Sequence, residues 1–327
     1  MRPTITRNDN KRRWTMSLRA RPAAAALFAL LAASAATAEP FALAPAYDQI
    51  YRVDLSTRTA TLVGQTGLFA GQPVVLKGMA YAPNGSLLAS SDNTKSLFRL
   101  DFLSSGPTFV GSLGLAGQGD PARLDAMDLS YAVTCDGSGW LASGVTRKLW
   151  KVDTNTGFTT YVGTTGARIT GLAARGRDLY GTGDYENPSL FRIDTSNGAA
   201  TTIGSFNVAS SKISSVWPSF DSSGQLWAAV SYIPPPPPAA NAFPPDWSDL
   251  ARLDPATGAM TVLGPITGPE DLRSVPLFGL AIAPPAPCPT GTVTTPQPVP
   301  AGSPMGYALL AGLLALLASM GLRRRLR

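Results

Sequence analysis

Residues 148–163 read KLWKVDTNTGFTTYVG, and four other segments of the chain follow the same pattern. Each copy has an Asp ten residues before its closing Gly and a basic residue two positions before that Asp. Five matches at identical spacing establish an internal repeat. The aspartates are Asp54, Asp101, Asp153, Asp194 and Asp254, the basic residues are Arg52, Arg99, Lys151, Arg192 and Arg252, and the copies end at Gly64, Gly111, Gly163, Gly204 and Gly264.

The repeated pattern predicts a β-hairpin. Its first arm alternates apolar and polar residues, and its second arm is rich in β-branched and aromatic residues. Between the arms, Asp, Thr, Asn and Ser offer side-chain hydrogen bonds to turn amides, and Gly157 and its equivalents supply the positive φ that a short hairpin loop needs. We therefore interpret the repeated Asp as a turn residue.

A second pair of short strands is predicted before copies two to five, in residues 79–92, 127–145, 169–184 and 216–231. Before copy one, residues 41–44 can form only the second strand of such a pair, so the first strand is missing there. A segment with the pattern of a first strand appears after copy five, in residues 277–285. Four strands in roughly 40–50 residues are typical of propeller blades. The sequence predicts an all-β, five-bladed β-propeller of four-stranded blades over residues 39–285, closed by the C-terminal strand. An open β-solenoid array is the alternative.

These repeats resemble those of surface propellers common among bacterial proteins with exosortase-type C-terminal tails. The resemblance covers about residues 41–285. It implies the propeller architecture and no particular activity.

Residues 1–38 predict a signal peptide with an N-terminal signal helix. Arg19 and Arg21 precede an apolar run, and Ala36 and Ala38 are the small residues of a cleavage site. Three alternatives stay open: a start at Met16, a twin-arginine signal in a longer leader, and an N-terminal anchor that is never cut.

Residues 304–327 predict a C-terminal transmembrane helix with an arginine tail. Residues 307–322 are apolar or small throughout, and at about 1.5 Å per residue the segment nearly matches a ~30 Å hydrocarbon core. Arg323, Arg324 and Arg325 would stay cytoplasmic. Residues 286–303, rich in Pro and Thr, predict a linker between the propeller and this span.

The C-terminal end resembles the sorting signals that exosortase-type transpeptidases handle in Gram-negative bacteria, the PEP-CTERM and IPTL-CTERM classes. Val299-Pro300 looks like the Val/Ile-Pro of the IPTL class, and the span and the basic stop follow it. The resemblance implies two partners, signal peptidase and an exosortase-type transpeptidase. It also implies a single-pass precursor in the inner membrane and a mature protein at the cell surface or outside the cell.

Charge and composition exclude several function classes. The formal net charge of +6 is concentrated at the ends, since residues 1–38 carry +6 and the last five residues carry +4, which leaves −4 on residues 39–322. The folded part therefore lacks the basic face that nucleic-acid binding needs. The chain contains no His, the commonest general base and a usual zinc ligand. We predict no catalytic residue and no cofactor.

Few residues remain as candidates for a site. Asp92 and Asp184 follow second strands at similar places and are candidates to hold Ca²⁺ at a channel mouth. Cys135 and Cys288 could pair in an oxidising compartment, and two separate thiols are the alternative. Trp247, in a Pro-rich segment, is the candidate for an exposed contact residue.

Two further groups are interpreted as structural. The densest carboxylate group, with one arginine among it, is interpreted as a solvated loop between blades: Asp120, Asp125, Asp128 and Arg123. Four tryptophans in strand patterns are predicted to pack between blades: Trp140, Trp150, Trp217 and Trp227.

The favoured hypothesis is a non-catalytic, surface-directed propeller that presents loops for adhesion, matrix or ligand contact. The first alternative is a Ca²⁺-dependent propeller hydrolase or lactonase, which rests on fold analogy alone. The second is a single-span, membrane-anchored periplasmic scaffold whose tail is never processed.

Overall fold

The computed structural model describes residues 41–101, 106–208, 212–233, 248–268 and 276–288. The predicted signal peptide, the predicted transmembrane helix and most of the linker lie outside these ranges. The candidate contact residue Trp247 also lies outside them. The same is true of the predicted cleavage and sorting residues, which are Ala36, Ala38, Val299, Pro300, Arg323, Arg324 and Arg325. Within the ranges, no helix has the length and apolar character that crossing a membrane requires.

The chain is built of short antiparallel strands in chain order, with a short 3-10 helix at Pro121–Arg123. The strands are β1 (Phe41–Ala46), β2 (Gln49–Asp54), β3 (Ala60–Gln65), β4 (Leu68–Phe69), β5 (Gln72–Pro73), β6 (Leu76–Tyr81), β7 (Leu87–Ser91), β8 (Ser96–Asp101), β9 (Gly106–Ser112), β10 (Leu129–Val133), β11 (Gly139–Ser143), β12 (Lys148–Val152), β13 (Thr159–Thr164), β14 (Gly171–Arg175), β15 (Asp178–Thr182), β16 (Ser189–Ile193), β17 (Ala200–Ser205), β18 (Ile213–Phe220), β19 (Leu226–Tyr232), β20 (Ser248–Leu253) and β21 (Met260–Pro265).

Four of the five blades are complete four-stranded meanders. They are β6–β9, β10–β13, β14–β17 and β18–β21, called blades two to five, and β1–β2–β3 form most of blade one. The third and fourth strands of every blade shift register at the same place in the repeat, for example between Leu149 and Trp150. A β-bulge that recurs at one repeat position is a built feature of the hairpin.

Residues 277–282 complete blade one and close the ring. The backbones of Leu43 and Ala281 exchange two hydrogen bonds of 2.8 Å, and Phe278 donates its N–H to the Pro45 carbonyl at 2.8 Å. A second seam joins blade five to blade one, where Ala60 donates to the Thr267 carbonyl at 2.6 Å. The predicted closed five-bladed propeller is therefore confirmed, and the open-array alternative is wrong.

The hydrophobic core is divided into five clusters, each between two neighbouring blades. The cluster at the closure joins Trp217 of blade five, Tyr51 of blade one and Leu280 of the closing segment. The other four join blades one and two, two and three, three and four, and four and five. The four tryptophans predicted to pack between blades are all buried.

The repeated Asp is a turn residue, as predicted. In copy four, the Asp194 carboxylate accepts the Ser196 N–H at 2.8 Å, the Ser196 hydroxyl at 2.7 Å and the Asn197 side-chain N–H at 2.9 Å. These hydrogen bonds, with that of the Ser196 hydroxyl first, lower the pKa of Asp194 because they favour its charged form. The same turn chemistry holds for Asp54, Asp153 and Asp254.

The basic residue two positions before the Asp packs on an aromatic ring of the neighbouring strand in three blades. The guanidinium of Arg252 lies 4.3 Å from the Trp227 ring centroid, its register partner on β19. Arg192 lies over its own register partner Tyr180, and Arg52 lies over Phe41 of β1, which is in register with Asp54. In these three blades, a cation–π contact within the sheet explains the basic residue of the repeat.

Candidate functional site

The inner strands of the ring are the first strands of blades two to five, β6, β10, β14 and β18, together with the closing segment of blade one. They line a central channel with two ends. Each inner strand begins at one face of the ring, called the front mouth, and ends at the opposite face, called the rear mouth. A cavity of about 320 Å³ occupies the front mouth. Its walls include Lys77, Arg123, Asp128 and Arg168 on one side and Tyr47, Ser215, Trp217 and Phe278 on the other.

Asp128 is the centre of an ion-pair network at the front mouth. Its carboxylate lies 2.9 Å from Lys77 Nζ, accepts from the Arg123 guanidinium at 3.0 and 3.3 Å, and lies 3.5 Å from Arg168 Nη2. Burial alone would raise the pKa of Asp128, but Lys77 and Arg123 outweigh it and hold the pKa at about 2. Three cations from different parts of the ring therefore share one carboxylate.

The interpretation of Asp128 as part of a solvated loop is wrong. The loop before β10 turns inward, so that the Asp128 side chain is only 18% exposed and faces the channel. Its neighbour Asp125 does have a local role, since it accepts the backbone N–H groups of Gly117 and Gly119 at 2.8 and 2.6 Å.

We expect the Asp128 carboxylate to make the free energy of unfolding decrease as the pH falls into the acid range. Its ionised form is favoured by folding, so its contribution is fully present above the unfolded pKa of about 4 and is lost as the pH falls towards 2. We expect Asp128→Asn to lower the free energy of unfolding at pH 7 by about 2 kcal/mol, which corresponds to the pKa difference. Urea unfolding at pH 7 and pH 2.5 checks this, because the difference between wild type and variant should fall to about a third of its value at the lower pH.

Asp120→Asn is the control for this prediction. Asp120 lies in the same loop and accepts the Ala122 N–H at 2.9 Å, an interaction that Asn retains. A loss at pH 7 as large in Asp120→Asn as in Asp128→Asn would contradict the assignment of Asp128 as the centre of the network.

Asp92 and Asp184 are buried beside the front mouth without lining its cavity, and both already face cations of the protein. Asp92 lies 2.9 Å from Lys95 Nζ and 3.5 Å from Lys77 Nζ, and it also accepts the Met127 N–H at 3.1 Å. Asp184 is fully buried, and one of its oxygens lies 2.9 Å from Arg168 Nε. Burial raises the pKa of Asp184.

This donor set does not fit a Ca²⁺ ion. Calcium needs six to eight oxygen ligands, whereas ammonium and guanidinium groups occupy the positions against both carboxylates. In the part of the chain that the structure describes, no group of three or more acidic or sulfur side chains is placed to hold a metal ion.

The opposite wall of the front mouth is aromatic. The rings of Tyr47 and Phe278 meet edge to face at 5.1 Å, and Trp217 meets Phe278 edge to face at 6.4 Å. Lys77 Nζ lies 5.5 Å from the Phe278 ring centroid, so this ring connects the aromatic wall to the charged one. The buried Nε1 of Trp217 has no hydrogen-bond partner among the described residues.

The rear mouth holds a second cavity, of about 140 Å³, and the end of the described chain forms part of its wall. After the closing strand, Pro284 and Pro285 line the rear end of the channel. Cys288 then forms a disulfide with Cys135, in the turn between β10 and β11 of blade three. Of the two alternatives for the cysteines, the structure contains the disulfide. Residues 283–288, called the strap, thus run from blade one to blade three, which are not neighbours in the ring.

Sequence reasoning missed the basic residues of the front mouth. Lys77 lies at the start of its inner strand, and Arg168 and Asp128 lie within three residues before theirs. At these places the blades differ from one another, whereas the repeated hairpin is constant. Charged residues at the positions where the repeats differ from one another were therefore the sequence signal that could have indicated this site.

Comparison with known proteins gives the fold alone. No protein-family model matches the chain, and no curated protein matches it. Among solved structures, it is similar to a chain of a nidogen/laminin complex, with 14% identity, a TM-score of 0.46, and coverage of 74% of this chain and 98% of that chain.

Two bacterial structures are also similar. Virginiamycin B lyase from Staphylococcus aureus has 12% identity, a TM-score of 0.39 and coverage of 68% of both chains. A calcium-binding protein, regucalcin, from Agrobacterium tumefaciens has 13% identity, a TM-score of 0.39, and coverage of 69% of this chain and 75% of that chain. At these values the similarities carry no argument about ligand or activity.

Proposed function

We propose that this protein is a non-catalytic, exported propeller that is directed to the cell surface and binds its ligand at the front mouth. The observation that supports the proposal is the asymmetry of the ring. The front mouth holds a cavity of about 320 Å³ walled by charged and aromatic side chains, whereas the cavity at the rear mouth is smaller, about 140 Å³, and is lined in part by the strap.

Both ends of the described ring lie at the rear face. Phe41 begins β1, which runs antiparallel to the closing segment and therefore starts at the rear and ends beside Tyr47 at the front. Cys288, held at the rear by its disulfide, lies near the start of the predicted linker and precedes the predicted sorting signal. A chain tethered through residue 289 would carry its front mouth on the side opposite the attachment point.

The pairing of charges at the front mouth supports a binding role over a catalytic one. The sequence contains no His, and the carboxylates Asp92, Asp128 and Asp184 are each ion-paired with Lys or Arg. Lys77 and Arg123 hold the pKa of Asp128 at about 2, so this carboxylate is a poor proton acceptor at neutral pH. Burial raises the pKa of Asp184, but its side chain is fully buried and does not line the cavity.

The mass of the mature chain, purified from the cell that produces it, tests export and sorting. We expect a chain that has lost residues 1–38 and the arginine tail, in the surface or extracellular fraction. An intact C-terminal Arg327 in the inner-membrane fraction would instead identify an unprocessed membrane-anchored scaffold.

Thermal melting with EDTA and with Ca²⁺ tests the enzyme alternative. We expect the same melting temperature under both conditions, because Asp92 and Asp184 are paired with the protein's own cations. A rise with Ca²⁺, together with turnover of a lactone substrate, would favour the Ca²⁺-dependent hydrolase.

A further inference from the structure

The charged wall of the front mouth consists of Lys77, Arg123, Asp128 and Arg168. Its hydrogen-bond acceptors, the carboxylate oxygens of Asp128, already have partners within the protein. The Asp128 carboxylate faces Lys77, Arg123 and Arg168, with four nitrogen atoms between 2.9 and 3.5 Å. A carboxylate offers about four acceptor positions in all. Asp128 therefore has little capacity left for a donor group on a ligand.

Donors remain available on the same wall. The ammonium group of Lys77 has three N–H groups, of which two face Asp128 and Asp92. The guanidinium of Arg123 has five, its side chain is 51% exposed, and Asp128 accepts from its two terminal nitrogens. On the cavity wall itself, Lys77, Arg123 and Arg168 outnumber the single carboxylate of Asp128.

A buried donor on the aromatic wall adds to this excess. Trp217 lines the cavity and is 5% exposed, and its Nε1 lacks an acceptor within the described part of the chain. Because an unsatisfied buried N–H costs about 1–3 kcal/mol, an oxygen atom that enters the cavity and reaches this group would be stabilising. The front mouth thus favours a ligand that brings hydrogen-bond acceptors, such as carboxylate oxygens, to these donors.

The aromatic wall also limits the shape of the ligand. Tyr47 is 47% exposed, and its ring stands edge to face against Phe278, which leaves flat apolar surface facing the cavity. At about 320 Å³, the cavity lies at the lower end of the range for small-ligand sites. One six-membered ring with a small substituent is suited to it.

We propose that the front mouth binds a small carboxylate carried on a single six-membered ring. Its carboxylate accepts from Lys77 and Arg123, and its ring packs against Tyr47 and Phe278. An aromatic acid and a sugar acid share this chemistry. The inference rests on the proposed binding function and adds to it the chemical class of the ligand.

Calorimetric titration of the mature chain tests the proposal with four probes. Benzoate and galacturonate carry the carboxylate on an aromatic ring and on a sugar ring, and benzyl alcohol and galactose are their uncharged counterparts. We expect at least one acid to bind about tenfold more tightly than its neutral counterpart, because a hydrogen bond to a charged group adds about 1.5 kcal/mol. The preference should weaken from 50 to 500 mM salt.

Two arginines provide a matched pair of variants. Arg123 and Arg147 are both 51% exposed and each is ion-paired with one acidic residue, but Arg147 pairs with Glu186 and does not line the cavity. We expect Arg123→Gln to weaken binding of the acid about tenfold, Arg123→Lys to retain most of it, and Arg147→Gln to change it less than twofold. Equal melting temperatures would show that the variants remain folded.

Several results would overturn the inference. Equal binding of acids and neutral rings would remove the role of the carboxylate, and equal weakening by Arg123→Gln and Arg147→Gln would move the site away from the front mouth. Binding of none of the four probes would overturn the ligand class. The proposed surface function would survive that last result if the mature chain is still processed and displayed, so the two failures can be told apart.

Discussion

Replacing Cys135 and Cys288 by serine is expected to lower the free energy of unfolding by about 5 kcal/mol. The disulfide joins residues 153 positions apart and so closes a long loop in the unfolded chain, and the chain-entropy model assigns a stabilisation of this size to such a loop. The bond also fixes the strap to blade three. Urea unfolding of the oxidised wild type and of the double variant measures the difference.

The single variant Cys135→Ser is the control for the double variant. It breaks the same bond, so both variants should lose the same free energy, and the wild type in dithiothreitol should match them. A loss below about 1 kcal/mol would mean that the hydrogen bonds of the closing segment with Leu43 and Pro45 hold the ring without the disulfide.

The propeller could be predicted from the sequence because its signals are local. Each hairpin carries its own turn chemistry, and the Asp194 carboxylate is an example in which the three hydrogen bonds to Ser196 and Asn197 span at most three residues. The displaced strand at residues 277–285 could be predicted as well, because a closed ring must complete blade one. The two hydrogen bonds between Leu43 and Ala281 confirm that step.

The front mouth could not be predicted, because its contacts join distant parts of the sequence. Lys77 and Asp128 are 51 positions apart, and Asp128 and Arg168 are 40 positions apart. They meet only because successive inner strands start at the same face of the ring. Whether a charged loop residue such as Asp128 is exposed to solvent or buried in an ion-pair network depends on these contacts, and the sequence pattern does not show burial.

The pairing of the cysteines was left open for a related reason. Cys135 lies in a blade turn and Cys288 in a Pro-rich segment after the last strand. Their distance depends on how that segment leaves the ring. The strap across the rear mouth determines it, and neither the repeat nor the spacing of the cysteines contains that information.

The closing Gly of the repeat gives the remaining large prediction. Gly163 ends the third copy, and its Cα packs against the Asp194 turn of the next blade. A Cβ at Gly163 would lie 1.7 Å from the Asn197 carbonyl oxygen, and Gly111 and Gly204 approach the turns that follow them in the same way. In these three copies the closing residue is Gly because two blades touch through their backbones, whereas a Cβ at Gly264 would have no backbone atom of another blade within 4 Å, and its φ is +119°.

We expect Gly163→Ala to lower the free energy of unfolding by about 3 kcal/mol, because overpacking against backbone forces the blades apart. Gly166→Ala, two residues beyond β13, is the control. Gly166 has a φ of +69° and no atom within 4 Å of its Cβ position, so it should lose only about 1 kcal/mol from backbone strain. Urea unfolding measures both variants. Equal losses would show that the close approach between blades three and four does not account for the requirement for Gly at this position.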